Sequence, residues 1–182
     1  MGVTFAKWSV VEYHALIASG ALDAKPVELL RGNIVDMSPE GPLHSNCIRR
    51  SANEIRQQLT SSLEVSEAHP ITLEDSEPEP DIAIILAKDY DECHPNAADV
   101  RLVIEFARSS LEKDLEEKRL VYAQANIPEY WVINLTDRRI IIFHSPEDGD
   151  YSARSESKSG IITSKVIPSI SVAIATPIGK PS

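Results

Sequence analysis

Cysteine is nearly absent from this 182-residue sequence: only Cys47 and Cys93 occur, without metal-type spacing. A disulfide framework and a cysteine zinc site are therefore not expected, and both residues read as free thiols. No apolar run reaches membrane-spanning length; those at residues 100–107 and 140–143 are strand-length and interrupted or bounded by charge. The opening MGVTFAKW lacks the basic region, long apolar run and small-residue cleavage site of a secretory signal. Ala6 stands where a myristoylation signal wants a small hydroxyl residue, so a cytoplasmic location is expected. Also missing are Gly-x-Gly-x-x-Gly, a Gly-Lys-Ser/Thr phosphate loop and a Gly-x-Ser-x-Gly elbow, which removes the main support for dinucleotide, P-loop and hydrolase-elbow chemistry. Cations are scarce too, 18 Lys and Arg against 28 Asp and Glu, for a net charge of -10. Such a surface repels polyanions, so a nucleic-acid function needs a local basic patch or bound cations.

The length and the 42% hydrophobic content allow one core and make two domains uncomfortable, so residues 1–182 are expected to form one domain, with 177–182 as a frayed tail. Ser9 and Glu12 form a capping box that starts a helix ending near Gly20. Residues 27–30 and 34–37 read as a hairpin, with Gly32-Asn33 supplying the positive φ angles of its turn. From His44 onward Ile48, Ala52, Ile55 and Leu59 recur at helical spacing. Residues 63–65 and 69–73 read as short strands. Ser109 and Glu112 suggest a second capping box, opening a helix over 111–125 that stops at Asn126. Strands are expected at 127–135 and 139–144, and edge strands at 151–156 and 161–167. The order predicts a mixed α/β (α+β) domain with a central mixed sheet flanked by helices, without the repeated strand-helix rhythm of a Rossmann fold.

The chemistry suggested by the sequence is acidic. In SEPEPDIAIIL, Pro78 and Pro80 force Glu77 and Glu79 into extended backbone, and Asp81 then heads a strand aliphatic on both parities. Glu105 lies near the end of a second such strand. Alternation puts Asp81 with Ala83 and Ile85, and Glu105 with Val103 and Arg101, so the two carboxylates can converge if the strands are neighbours. A converging pair in apolar surroundings calls for a cation, and oxygen donors suit Mg²⁺ or Mn²⁺. The plainer alternative is an acid exposed at a strand end or paired in an ordinary salt bridge. On the following helix Asp114, Lys118 and Tyr122 fall at i, i+4 and i+8, one face that can return Lys118 toward the carboxylates, or simply a surface helix with an Asp-to-Lys pair. Glu77 and Glu79 read as solvated rim acids. His44 reads as a packed or helix-start histidine, His69 and His94 as loop residues, and Tyr130 and Trp131 as core. Arg49, Arg50 and Arg56 suit either phosphates or a solvated helix face.

These motifs in this order, VELLRG at 27–32, MSP at 37–39, EPEPD at 77–81, VIE at 103–105, SSL at 109–111 with Asp114 and Lys118, and YA at 122–123 through IPEYW at 127–131, resemble the "putative restriction endonuclease" family abundant in cyanobacteria. That family lies within the PD-(D/E)XK nuclease superfamily, and the likeness runs from about Lys7 to Phe143. The resemblance implies a restriction-endonuclease-like fold and hydrolysis of DNA phosphodiester bonds. It implies a Mg²⁺ (or Mn²⁺) held by Asp81, Glu105 and the main-chain carbonyl of Phe106, with Glu28 as an auxiliary acid. The superfamily's Glu-x-Lys would put a lysine at 107, where this chain has Ala107; the displaced lysine falls on Lys118. A homodimer is also implied. The alternative is a non-catalytic binding or assembly protein on the same fold.

Overall fold

Two aliphatic strands, β4 (Ile82–Leu86) and β5 (Val100–Ala107), lie side by side at the heart of a six-stranded sheet of order β3-β4-β5-β6-β7-β8. The computed structural model describes residues 6–39 and 41–178. The other strands are β3 (Leu63–Glu67), β6 (Glu129–Asn134), β7 (Arg139–Glu147) and β8 (Asp150–Ser157). Only the β5–β6 pair is parallel; every other neighbour is antiparallel. A parallel neighbour needs a crossover, and residues 111–124 supply it in three pieces: α3 (Leu111–Lys113), a π turn (Asp114–Lys118) and α4 (Arg119–Gln124). Asn126 ends that crossover at φ 57°, the left-handed conformation asparagine tolerates.

Strand parity divides the core. Even-numbered Ile82, Ile84, Leu102, Ile104 and Phe106 pack against Cys47, Ile48, Ala52 and Ile55 of α2 (Pro42–Arg56), each buried aliphatic side chain contributing about 1.5–3 kcal/mol. Odd-numbered Ala83, Ile85, Val103 and Ala107 pack with Tyr130 and Val132 under Val121, Tyr122 and Ala123 of α4. Asp81 and Glu105 share this odd parity and so fall on the crossover face.

The N-terminal α1 (Val10–Ala18) carries the full Ser9–Glu12 capping box and rests its Tyr13 on Val27 and Leu29 of the hairpin β1 (Val27–Leu30) and β2 (Asn33–Asp36). The turn of that hairpin lies one residue earlier than expected. Arg31 (φ 50°) and Gly32 (φ 71°) occupy the left-handed positions, while Asn33 begins β2 and donates its side-chain amide to the Leu30 carbonyl.

The SEPEP segment runs beside β1: Glu77 N–H donates to the Leu29 carbonyl at 2.7 Å. The expectation of a solvated Glu77 is thereby overturned. Its side chain is buried, accepts from Thr72 Oγ1 at 2.7 Å and meets His14 Nε2 at 2.7 Å. Residues 69–73 form no strand, because Pro70 withholds an amide and Leu73 N–H turns back to the Ser76 carbonyl. Near the C-terminal end β9 (Ile161–Thr163) pairs with β10 (Ser171–Ala173) in a separate ribbon rather than extending the main sheet. The expected frayed tail is corrected at its start: Pro177 and Ile178 are buried in α5 (Ala175–Ile178), and Ile178 belongs to the α2-side core. Residues 179–182 of that expectation lie outside the described residues. Among the described residues, no helix is long and apolar enough to cross a membrane.

Candidate active site

The residues singled out by sequence, Glu28, Asp81, Glu105 and Lys118, line one cleft between the hairpin, the β4–β5 edge and the crossover, together with Glu79, Lys113 and Asp114. Each arrives by a different route. Asp81 is the last residue before β4 and caps the neighbouring strand: its Oδ2 accepts the Phe106 N–H at 2.6 Å. Strand β4 begins at Ile82, one residue after the boundary its prolines suggest. Glu105 follows from the register, since Ile82 faces Ile104. Lys118 comes from the crossover, and its Nζ stands 2.8 Å from Glu105 Oε1 and 3.1 Å from Glu28 Oε2. Tyr122, one turn on, donates its hydroxyl to Glu105 Oε1 at 2.8 Å.

The face carrying Asp114, Lys118 and Tyr122 is therefore the inner one, and all three are buried. The expected Ser109 capping box is absent from this helix start. Ser110 is the N-cap, without a side-chain cap bond, and gives its hydroxyl instead to Asp114 Oδ2 at 2.7 Å.

Two members were not legible. Lys113 Nζ lies 2.9 Å from Glu28 Oε1, so both Glu28 oxygens face an ammonium. His44, read as a packed histidine, places Nε2 2.6 Å from the Phe106 carbonyl and 3.2 Å from Asp81 Oδ2, at the rim of the cleft. Position 44 is the third residue of a helix opened by Pro42 at its first turn, and only the approach of α2 to the end of β5 reveals its target. Two of the three arginines on α2 are committed elsewhere, Arg50 to the Thr176 carbonyl and Arg56 to Glu67, while exposed Arg49 donates to Asn46 of the same helix.

Among the described residues, five carboxylates, Glu28, Glu79, Asp81, Glu105 and Asp114, thus share the cleft with two ammonium groups, Lys113 and Lys118. The imbalance shows in the titration of the group. Burial raises the Glu105 carboxyl to about 8 against the opposing pull of Lys118, with Asp81, Asp114 and Glu28 adding to the rise. Burial likewise raises Asp114, and burial with the Glu28 charge raises Glu79. Glu28 goes the other way: burial works against its charge, but Lys118 and Lys113 together bring it below the usual carboxylate range. Burial also opposes the Lys118 charge, and Glu105, Glu28 and Asp114 outweigh it, holding the ammonium charged well above its ordinary value.

A site short of positive charge and built of oxygen donors suits a hard divalent cation. The candidate donors are the carboxylates of Asp81 and Glu105 and the Phe106 carbonyl, with His44 Nε2 already close to that carbonyl and to Asp81 Oδ2. Among the described residues no group of three His, Cys, Asp or Glu side chains is arranged as a metal cage. Two carboxylates with one carbonyl match a cation that keeps several waters and takes substrate oxygens as its remaining ligands.

The chain matches the sequence profile of the Uma2 family, described as "Putative restriction endonuclease", over residues 10–175. It belongs to that family. No curated protein matches the sequence. The fold is similar to the crystal structure of a "putative nuclease belonging to DUF820" from Anabaena variabilis, with a TM-score of 0.66 at 12% identity, covering 84% of this chain and 89% of that one. At that identity the likeness shows the restriction-endonuclease-like fold.

Proposed function

We propose that this protein is a divalent-metal-dependent endonuclease that hydrolyses DNA phosphodiester bonds in the cleft between Glu28, Asp81, Glu105 and Lys118. The reading rests on one observation: Asp81, just before β4, and Glu105 of the adjacent β5 line one cleft in which Lys118 of the crossover pairs with Glu105, and the described lining holds more acids than cations. Membership in the Uma2 family supports nuclease chemistry.

In this reading Asp81, Glu105 and the Phe106 carbonyl would hold Mg²⁺ or Mn²⁺. The bound cation would supply Lewis acidity toward a phosphoryl oxygen and a nucleophilic water at neutral pH. The remaining work falls to the chain. Asp81 is fixed through Oδ2 by the Phe106 amide, which leaves its other oxygen for the cleft. Lys118, buried and charged, stabilises negative charge developing on the phosphoryl group, a role that gains strength away from water. Glu28 holds Lys118 together with Glu105, and Tyr122 fixes the Glu105 carboxylate. Lys118 thereby serves in place of the lysine absent at Ala107. Position 107 is a poor place for one, because Ala107 is wholly buried in the core under α4.

The test is cleavage of plasmid DNA with Mg²⁺ or Mn²⁺, alongside calorimetric titration of the cation. Asp81→Ala and Glu105→Ala should each abolish cleavage and weaken cation binding while retaining the far-ultraviolet circular dichroism of the fold. Cleavage by both variants at the wild-type rate would refute the assignment.

One observation favours a second reading. Lys118 already pairs with both Glu105 and Glu28, a buried network that can serve stability or partner binding without a metal. Wild-type protein that neither binds Mg²⁺ or Mn²⁺ nor gains thermal stability from them would support that non-catalytic role.

A further inference from the structure

The crossover helix contains a π turn exactly where it meets the site, and two side chains hold that turn open. Arg119 N–H donates to the Asp114 carbonyl, five residues back, rather than to the Leu115 carbonyl four back. The Leu115 carbonyl released by this shift accepts from the Arg119 side chain, Nε to O at 2.8 Å. The Asp114 carbonyl takes a second donor, the hydroxyl of fully buried Tyr130, at 3.1 Å. Arg119 is itself tied to Asp150 of β8. The widened turn therefore has its backbone groups satisfied from the core and from the sheet.

The consequence is a change of phase along the helix. In an unbroken α-helix residues four apart share a face, so Lys118 aligns with Asp114 and Lys113 aligns with exposed Glu117. The extra residue of the π turn lets residues five apart converge. Lys113 and Lys118 accordingly meet the two oxygens of one carboxylate, Glu28 Oε1 at 2.9 Å and Oε2 at 3.1 Å. The Glu28 side chain is wholly buried, so turning the carboxylate away from either lysine would leave a buried charge short of a partner.

We propose that Lys113 is a positioning residue of this site, brought there by the π turn, which holds Glu28 through one oxygen so that Glu28 holds Lys118 through the other. This rests on the nuclease reading given above for its effect on catalysis, but the positioning itself has an independent readout. Without Lys113, Glu28 draws Lys118 away from Glu105 to neutralise its own freed oxygen, and the ammonium loses its place between the two acids.

The experiment compares the wild type with Lys113→Met, Lys113→Arg and a deletion of exposed Glu116, which returns the turn to α-helical phase. Two quantities are followed: steady-state DNA cleavage with Mg²⁺, and hydrogen exchange of the Lys118 ammonium by ¹⁵N nuclear magnetic resonance without metal. Lys113→Met should lower kcat by about 10–100-fold, the usual effect of losing an outer partner of a metal site, with KM nearly unchanged. It should also speed exchange at Lys118. Lys113→Arg should recover most of both, and the Glu116 deletion should behave like Lys113→Met. Unchanged Lys118 exchange in Lys113→Met overturns the proposal, as does a rise in KM at constant kcat, which would make Lys113 a substrate contact. If the wild type fails to cleave DNA while Lys113→Met still speeds Lys118 exchange, the nuclease reading fails and the positioning network stands.

Discussion

Replacing Lys118 with Met keeps an apolar stem of similar length and deletes one buried ammonium from between Glu105, at 2.8 Å, and Glu28, at 3.1 Å. Glu28 retains Lys113, whereas Glu105 is left with the Tyr122 hydroxyl. Removing one partner of a buried ion pair costs about 3–5 kcal/mol, because the other charge remains desolvated. Glu105 can reduce that cost by keeping a proton. Burial already raises its carboxyl to about 8 with Lys118 present, and without Lys118 it rises further.

The pH dependence follows from the sign of that shift. A carboxyl raised in the folded state contributes stability that is complete below its unfolded value and lost as pH climbs through the folded one. Below about pH 8 the wild type and Lys118→Met both hold the Glu105 proton, so the difference between them is nearly constant and comes from the lost Lys118 contacts with Glu28 and with the Glu105 carboxyl oxygen. Above that pH the wild type has finished losing this contribution while the variant continues, and the gap widens by up to about 1.4 kcal/mol per pH unit. Urea unfolding with a chelator present, at about pH 6.5 and about pH 9.5, should give a deficit near the lower end of the 3–5 kcal/mol range, then one larger by more than about 1 kcal/mol. Adding Glu105→Gln to Lys118→Met should remove the widening. A deficit below about 1 kcal/mol at both pH values, or one that shrinks as pH rises, would refute the buried arrangement of Lys118 and Glu105.

Two further predictions concern the frame around the site. Gly32→Ala places a methyl group 2.9 Å from Lys7 Cβ and 3.0 Å from the Trp8 carbonyl oxygen at φ 71°; urea unfolding should show a loss above about 1 kcal/mol, since both the conformation and the space are wrong for alanine. Asp99 is held below the usual carboxylate range: burial opposes its charge, but Lys88 at 2.6 Å and the Asn96 amide at 3.1 Å prevail. Its depressed folded value gives stability present above its ordinary 3.8 and lost as pH falls through the folded value. Asp99→Asn should therefore cost under about 1 kcal/mol at neutral pH, because Lys88 is half-exposed, and nothing measurable once acid has protonated the wild type.

Local chemistry carried the elements furthest. The Ser9–Glu12 capping box, the aliphatic strands beside Asp81 and around Glu105, and Asn126 as a helix stop are each decided within a few residues, and each stands in the structure, the first strand starting one residue later than read. Readings that depended on a distant partner fared differently. Glu77 resembles any surface acid in sequence, yet β1 and α1 fold over it and supply Leu29 and His14 as partners. The hairpin turn moved by one residue because Arg31 accepts a left-handed conformation where glycine and asparagine were the expected pair. His44 has no local signal, since its target is a carbonyl 62 positions away.

The sequence by itself determined that Asp81 and Glu105 adjoin two aliphatic strands and, by alternation, which neighbours each acid shares a face with; the antiparallel register of β4 on β5 then put both acids on one face. The sequence also pointed to Asp114, Lys118 and Tyr122 on one side of the crossover by α-helical spacing, and all three are buried although the turn from Asp114 to Lys118 is π. Only the tertiary structure decided that this side faces inward, that Glu28 closes the group from the hairpin, and that the cleft holds more carboxylates than ammonium groups. It alone revealed Lys113. The π turn that admits this residue depends on Tyr130 from the neighbouring strand and on Arg119 anchored to Asp150, contacts that exist only after the sheet has assembled.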